Sequence, residues 1–512
     1  MTSTDSPEDA AHRPRLAILV DNAVEGDSRV QKEAESAAAA GWDVLLIGRR
    51  NRTTTRTQWS IGGARVRLVK EQSGLGTSRA VWRRAPLRAP LAYSSFRHSD
   101  YRVQLNRVHL SDVAYRVDLA RVSGAAEHGP RIVALRGQLL WLKLQRRWIA
   151  RRAARTRTLD LVRKNATGQV DRFWAKVHLR RRRGWRQLSP AIMSWETAYT
   201  PTIRAFDPDV IHANDFRMLP AGAMSKVRAA ARGRTVKLVW DAHEFLPGIH
   251  TRSPNVRWHA GHIAMEKEFA HHADAVITVT EPLADLLVAE HGLTERPTVV
   301  ANAPIIGALA DPDLPDLRTA LGLAADVPLL VYCGGLAPMR GLETVVRGLP
   351  QLPGVHLALI VPSFATEYGR HLLAVATDLG VRDRVLGHPY VAPDQIARFL
   401  TTATAGVIPL HRIVNHDISL PTKYFEFCHA RLPIITSDTP ALVEAVTEHH
   451  QGEVFTAEDV DGFVRATEIV LANPDAYCSA YDDADLMRTW TWEHQADKLL
   501  AVYESLRGEQ PR

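Results

Sequence analysis

Short apolar runs alternate with amphipathic segments along most of the chain. Leu16 to Val20 is the first run. Val30, Ala34 and Ala37 then recur at helical spacing, with Ser28 and Gln31 as a capping box and Gly41 as a stop. Val44 to Ile47 reads as the next strand, so the chain opens as a βαβ unit. The rhythm returns in Asp207 to Phe216, Val236 to Gly248 and Ala273 to Leu287, the last as a strand and a capped helix. It continues in Val327 to Val346, His356 to Val361, Arg384 to Gly387, Ala405 to Leu410 and Leu432 to Thr436. Brief runs rich in β-branched residues belong to parallel strands covered on both faces.

A chain of 512 residues exceeds what one core usually supports, so two α/β domains are expected. The first spans 15–305, closing near Asn302, and the second spans 318–488. Pro and Asp between Pro312 and Leu317 mark the connection. Residues 1–14 read as a disordered start. In 489–512, Trp492, Leu499, Leu500 and Tyr503 give a last helix from Trp490 to Leu506.

Residues 77–200 break the rhythm. They carry 27 Lys and Arg against seven Asp and Glu, a net of +20 that leaves −12 for the rest of a chain whose total is +8. Ile132 to Lys164 reads as one or two helices with Leu135, Leu139 and Leu142 on one face and Trp141, Leu144 and Trp148 beside them. Arg146, Arg147, Arg151, Arg152, Arg155 and Arg157 flank that face, and Phe173, Trp174 and Trp185 surround Arg180 to Arg183. Basic helices with tryptophans suit an anionic membrane surface, while the same composition also tracks a phosphate backbone or packs on the domain's own core.

No apolar run reaches the length of a membrane span, and the opening MTSTDSPEDAAHRPR has no apolar core of a secretory signal. Cys333, Cys428 and Cys478 are widely separated thiols without metal-ligand spacing, which fits a reducing cytoplasm; Cys428 reads as a small core residue.

Four stretches carry candidate chemistry. In DISLPTKYFEFCHARLPIITSD, Asp417 to Asp438, a helix holding Lys423 and Glu426 precedes a strand; a carboxylate there pairs with a ligand's hydroxyls and a lysine with a phosphate. In CGGLAPMRG, Gly334 and Gly335 let the backbone approach a phosphate, and Arg340 before Gly341 meets its oxygens. The strand in VKLVWDAHEFLPG delivers Asp241, His243 and Glu244 into the loop beyond it, where a histidine donates a hydrogen bond or exchanges a proton. In DPDVIHANDF, Asp207 and Asp209 around a proline make a turn rather than a metal pair, ahead of His212 and Asp215.

The order of these stretches is similar to that of the retaining glycosyltransferases of family four, over Leu16 to Gln72 and from Asp207 onward. The resemblance implies a GT-B fold, two Rossmann-like domains facing a cleft, with the basic helical insertion in the first and a last helix crossing back. It implies a nucleotide-diphosphate sugar as co-substrate, no cofactor and no metal. Arg340 and Gly341, after Gly334 and Gly335, would hold the diphosphate, Glu426 the ribose, and His388 to Val391, with Tyr390, the base. His243, with Asp215 and Glu244, would lie at the transferred sugar, and the loop with Gly26, Asp27 and Arg29 on the acceptor side.

The chain departs from the pattern at Gly335, where many members carry a second cation that Lys423 or Arg412 would replace. It departs again at Ile418, where a first glutamate is usual and only Asp417 is adjacent. A glycan or lipid-linked acceptor and a cytoplasmic enzyme at the inner face of the plasma membrane are the expectation, which favours membrane over nucleic acid for the insertion. A non-catalytic scaffold and a nucleotide-sugar epimerase or hydrolase are the alternatives.

Overall fold

The structure is a computed structural model and describes residues 13–51, 54–70, 91–93, 96–126, 129–160, 185–188, 192–249, 256–306, 311 and 313–508. Two sheets organise it. The first contains β1 (Arg15–Leu19), β2 (Asp43–Arg49), β3 (Gln58–Ile61), β4 (Ala64–Val69), β5 (Val210–Asn214), β6 (Lys237–Ala242), β7 (Ala275–Thr278) and β8 (Thr298–Val299) in the order β3-β4-β2-β1-β5-β6-β7-β8. The second contains β9 (Leu329–Cys333), β10 (His356–Ile360), β11 (Val385–His388), β12 (Ala405–Ile408), β13 (Ile434–Ser437) and β14 (Gly452–Phe455) in the order β11-β10-β9-β12-β13-β14. Every pairing is parallel except β3 with β4. Central strands such as β9, LLVYC, are buried along their whole length because helices cover both faces. Each sheet reverses its order beside its first strand, which places two polar crevices at the strands' carboxyl ends.

Local chemistry sets the element ends, with two departures from the sequence pattern. The first helix, α1 (Ser28–Ala39), is capped by Asp27, whose carboxylate accepts from the Val30 amide. Ser28 is already helical, and Gln31 instead donates to the Val24 carbonyl, so the capping box does not form. Thr280, before the Glu281–His291 helix, makes no side-chain cap either; its hydroxyl donates across the domains to the Ile418 carbonyl at 2.7 Å.

The last helix, Trp492–Gly508, crosses back onto the first domain as expected. Trp492, Leu499 and Tyr503 join Ile18, Val30 and Trp42 in one buried cluster. Trp492 also donates from its indole to Ser36 Oγ at 2.9 Å, and Tyr503 meets His212 Nδ1 at 2.6 Å.

The insertion contributes two long helices, α2 (Phe96–Val122) and α3 (Pro130–Asp160). Leu135 and Leu142 of α3 pack on Val113, Val117 and Ala120 of α2, with Leu139 at the edge. Trp185, expected among the basic block, is a core anchor: it is buried, 6.1 Å from Phe269, and donates to Glu268 at 2.7 Å. Phe173, Trp174 and Arg180 to Arg183 lie outside the described residues, as do residues 1–12 of the start. Among the described residues no helix is long and apolar enough to cross a membrane.

Candidate donor and transfer site

One wall of the cleft grows from β9. The strand runs into Gly334, at φ +133°, then Gly335, a tight turn over Pro338–Arg340, and Gly341 at φ +71°. Lys423 comes from the Thr422–His429 helix and lies over the Tyr332 ring, its Nζ 3.5 Å from the centroid, against the turn at Gly334. Burial pulls this ammonium down to about 7. Glu426 stands one helical turn on; it accepts from Cys333 Sγ at 3.0 Å, and burial raises its carboxyl above the usual range. Arg340 and Tyr390 share this electrostatic neighbourhood. Tyr390 forms an exposed rim, whereas His388 turns its Nδ1 to the Pro389 carbonyl at 2.8 Å and its ring onto Phe399. Arg412 is held by Asp417 at 2.7 Å, so Lys423 is the buried second cation at the glycine turn and Asp417 is engaged elsewhere.

The opposite wall centres on His243, just beyond β6. Asp241 is the last but one residue of the strand and fully buried, so it does not enter the loop as the sequence pattern suggests. It contacts His243 Nε2 at 2.8 Å and takes Arg29 Nε and Nη2 at 2.8 and 3.1 Å. Arg29 therefore leaves the acceptor-side loop: it lies buried beneath His243, with Nη1 on the Val300 carbonyl. Burial alone would depress the imidazole, but the adjacent Asp241 charge overrides it and raises His243 to about 9. Its raised value favours the imidazolium at neutral pH, in which both ring nitrogens carry hydrogen and Nε2 faces Asp241.

Asp215, at φ +60°, accepts from its neighbour's amide and from Arg217 at 2.9 Å, and burial raises it to about 6. Glu244 is exposed, Gly26 takes φ +81° at the loop tip, and Asp27 serves as the cap of α1. Asp209 accepts from the Arg15 amide at 2.8 Å and from Arg234, which is the turn expected of the Asp-Pro-Asp stretch. Among the described residues, Glu33, His212 and Asp241 form one grouping of metal-ligand type. Arg29 sits 3.0 Å from Glu33 and 2.8 Å from Asp241, so its guanidinium already balances the two carboxylates.

Residues 163–303 match the family described as Glycosyltransferase Family 4, and residues 314–484 match Glycosyl transferases group 1. The chain belongs to the GT4-type glycosyltransferases. Its curated relatives include a D-inositol 3-phosphate glycosyltransferase of Mycolicibacterium gilvum, 24% identical over 46% of this chain and 53% of that protein. Another, D-inositol 3-phosphate glycosyltransferase 1 of Catenulispora acidiphila, is 26% identical over 58% and 72%. The match thus spans about half the length of the first of these. In fold the chain is similar to the sucrose-phosphate synthase of Thermosynechococcus elongatus, with TM-score 0.62 and 15% identity over 97% of this chain and 100% of that one. The Anabaena protein HepE in complex with UDP and glucose gives TM-score 0.57 and 12% identity over 96% and 100%. These neighbours have the GT-B architecture.

Within this GT4-type chain the domains meet through residues that local pattern did not flag. Phe245 donates its amide to Asn415 at 2.9 Å, and Ile418, standing where an acid is usual, packs on the first domain's core. Lys32 of α1 donates to Asn302 and to the Ala303 carbonyl, and burial beside Arg29 pulls it down to about 7; Asn302 in turn donates to Thr422 at 2.9 Å. Lys32 also lies within electrostatic reach of Glu426, which connects the two walls. Only the fold brings these groups together, since they are contributed from four separate parts of the chain.

Gly341 is the strictest position of the glycine turn. A Cβ there would stand 1.6 Å from the Pro409 carbonyl oxygen, at a backbone angle that itself costs a side chain roughly 1–2 kcal/mol. Gly341→Ala is therefore expected to lower the melting temperature by more than ~4 °C and to abolish nucleotide binding. Gly335, by contrast, has open space around it, and Gly335→Ala should leave the melting temperature of the free protein unchanged. A thermal melt of the pair with and without nucleotide checks this, and equal behaviour of the two variants would contradict it.

Proposed function

We propose that this protein is a retaining glycosyltransferase that moves a hexose or related sugar from a nucleotide-diphosphate sugar to a hydroxyl of a glycan or lipid-linked acceptor, at the cytoplasmic face of the membrane. The observation that carries this reading is the buried Lys423 lying against the Gly334 turn. A buried ammonium with a depressed pKa and, among the described residues, no carboxylate in salt-bridge contact suits an anion, and Arg340 adds a second charge. The donor's diphosphate would lie between them, and Glu426 would accept from the ribose hydroxyls.

As the bond to the sugar breaks, negative charge grows on the diphosphate, where Arg340 and Lys423 stabilise it, and positive charge grows on the ring. His243 carries its proton, so it serves as a hydrogen-bond donor to the sugar and not as a base. Retention brings the acceptor to the face the diphosphate leaves. The acceptor's proton then passes to the departing phosphate oxygen, the basic group the reaction itself delivers there.

The curated relatives are named for D-inositol 3-phosphate, so phosphorylated cyclitols join glycans and lipid-linked sugars among the acceptors to try. Thermal shifts with nucleotide diphosphates and their sugars, headed by the UDP and UDP-glucose of the HepE complexes, test the donor half. Nucleotide at 100 times its Kd stabilises by ~2.7 kcal/mol, so a selective rise absent from Arg340→Ala and Glu426→Ala is the expected result. A flat response to every nucleotide would overturn the proposal.

A further inference from the structure

The outer helix of the insertion presents two apolar faces, and α2 covers one of them. Opposite Leu135 and Leu142, the residues Val133, Leu140, Trp141, Leu144 and Trp148 remain 46–64% exposed. At ~100° and ~1.5 Å per residue these five fall within an arc of about 100° and form a stripe ~22 Å long. A continuous stripe of large apolar groups on a surface marks an interaction site, whereas singly scattered ones do not.

Charge selects the occupant. The sequence of α3 holds nine Lys and Arg and a single acid, Asp160, at its end. Lys143 and Arg147 border the stripe, Arg151 continues its line, and all three are exposed. A second copy of the chain seated on this stripe would bring two such cationic faces together, which disfavours self-association. Nucleic acid would engage the cations and leave Val133, Leu140 and Leu144 without a partner. A bilayer with anionic headgroups satisfies both sets, because indoles settle at the headgroup boundary and cations meet lipid phosphates.

We propose that the outer face of α3 docks on an anionic lipid bilayer, with Trp141 and Trp148 at headgroup depth and Lys143, Arg147 and Arg151 on the lipid phosphates. The hairpin is a stiff bracket for this purpose. Arg186 bridges Asp112 of α2 to Glu268 at 2.8 and 2.5 Å, and Arg228 donates to Ser111, so a docked α3 holds the whole first domain at the surface. Docking is independent of the donor site, and its test needs no sugar.

The full chain is sedimented with vesicles of phosphatidylcholine alone or mixed with phosphatidylglycerol, and indole quenching by brominated lipid is recorded. The expected result is binding to the anionic vesicles only, weakening as salt rises. Trp141→Ser/Trp148→Ser should lose the quenching and about tenfold in affinity, and Lys143→Glu/Arg147→Glu/Arg151→Glu should abolish binding at unchanged melting temperature. Equal sedimentation with the two vesicle types, or quenching that survives in the tryptophan variant, would overturn the proposal. So would a dimer in solution that the tryptophan variant dissolves, because the stripe would then belong to a second copy.

Discussion

Turnover with the cognate nucleotide sugar is expected to fall by about 10²–10³ in Lys423→Met, the range found when one preorganised charge-stabilising donor is removed. Methionine keeps the apolar stem over Tyr332 and deletes only the charge. Folding offers no competing explanation, as the linkage shows. Lys423 has a folded pKa of about 7 against an unfolded value of ~10.4, so below pH 7 its ammonium costs stability in full, and the cost disappears as pH rises toward the unfolded value. The variant without nucleotide should therefore melt no lower than the parent at neutral pH, and with nucleotide it should show little of the parent's shift.

A second readout isolates the same atom. A diphosphate beside Lys423 raises its pKa, so at pH ~8 binding should draw up to one proton from solvent. Calorimetry in buffers of different ionisation heat reads that proton directly. Proton uptake that persists in Lys423→Met would place the titrating group elsewhere and remove Lys423 from the diphosphate site.

Much of this architecture was legible from pattern alone, because parallel strands buried on both faces must be written as short apolar runs. The runs at Leu16, Val44, Val327, Ala405 and Leu432 each mark a strand within two residues of its observed start. The glycine turn after β9 was legible for a related reason. Gly341 and Arg340 are local, and their chemistry follows from a strand feeding a helix through glycines.

What stayed hidden depends on burial. Arg29, Glu33, His212 and Asp241 are polar residues at helical and strand positions, yet all four are buried, with the Arg29 guanidinium in ion-pair contact with both carboxylates. Asp241 was read as a loop residue since two further ionisable side chains follow it. Its partner Arg29 lies 212 positions earlier, and nothing local announces the pair. The insertion divided similarly. Hydrophobic spacing identifies the face of α3 that packs on α2 but places Trp141, Leu144 and Trp148 beside that face, whereas they lie across the helix from it.

The buried Arg29–Asp241–His243 chain leads to the second large effect, which concerns pH. In the parent, His243 holds its proton until about pH 9 because Asp241 lies beneath it. Asp241→Asn removes that charge and leaves burial and Arg29, which disfavour the imidazolium, against the weaker influence of Asp215, which favours it. The His243 pKa should then drop below its ordinary ~6.5, and the alkaline limb of the pH–rate profile should move from about 9 to the same region.

At pH 7.5 the variant would hold a neutral imidazole and lose about 10²-fold in turnover, as His243→Ala should; because the two residues act as one unit, combining the changes should cost little more. Stability responds with a definite sign. His243 has a raised folded pKa, so its contribution is complete below ~6.5 and is lost as pH rises through about 9. That part of the stability gap between parent and variant should close over the same interval. Titration of the His243 Cε1 proton by NMR, set beside the rate profile, decides the matter: an alkaline limb that stays near 9 in Asp241→Asn would mean that His243 does not act as the charged donor.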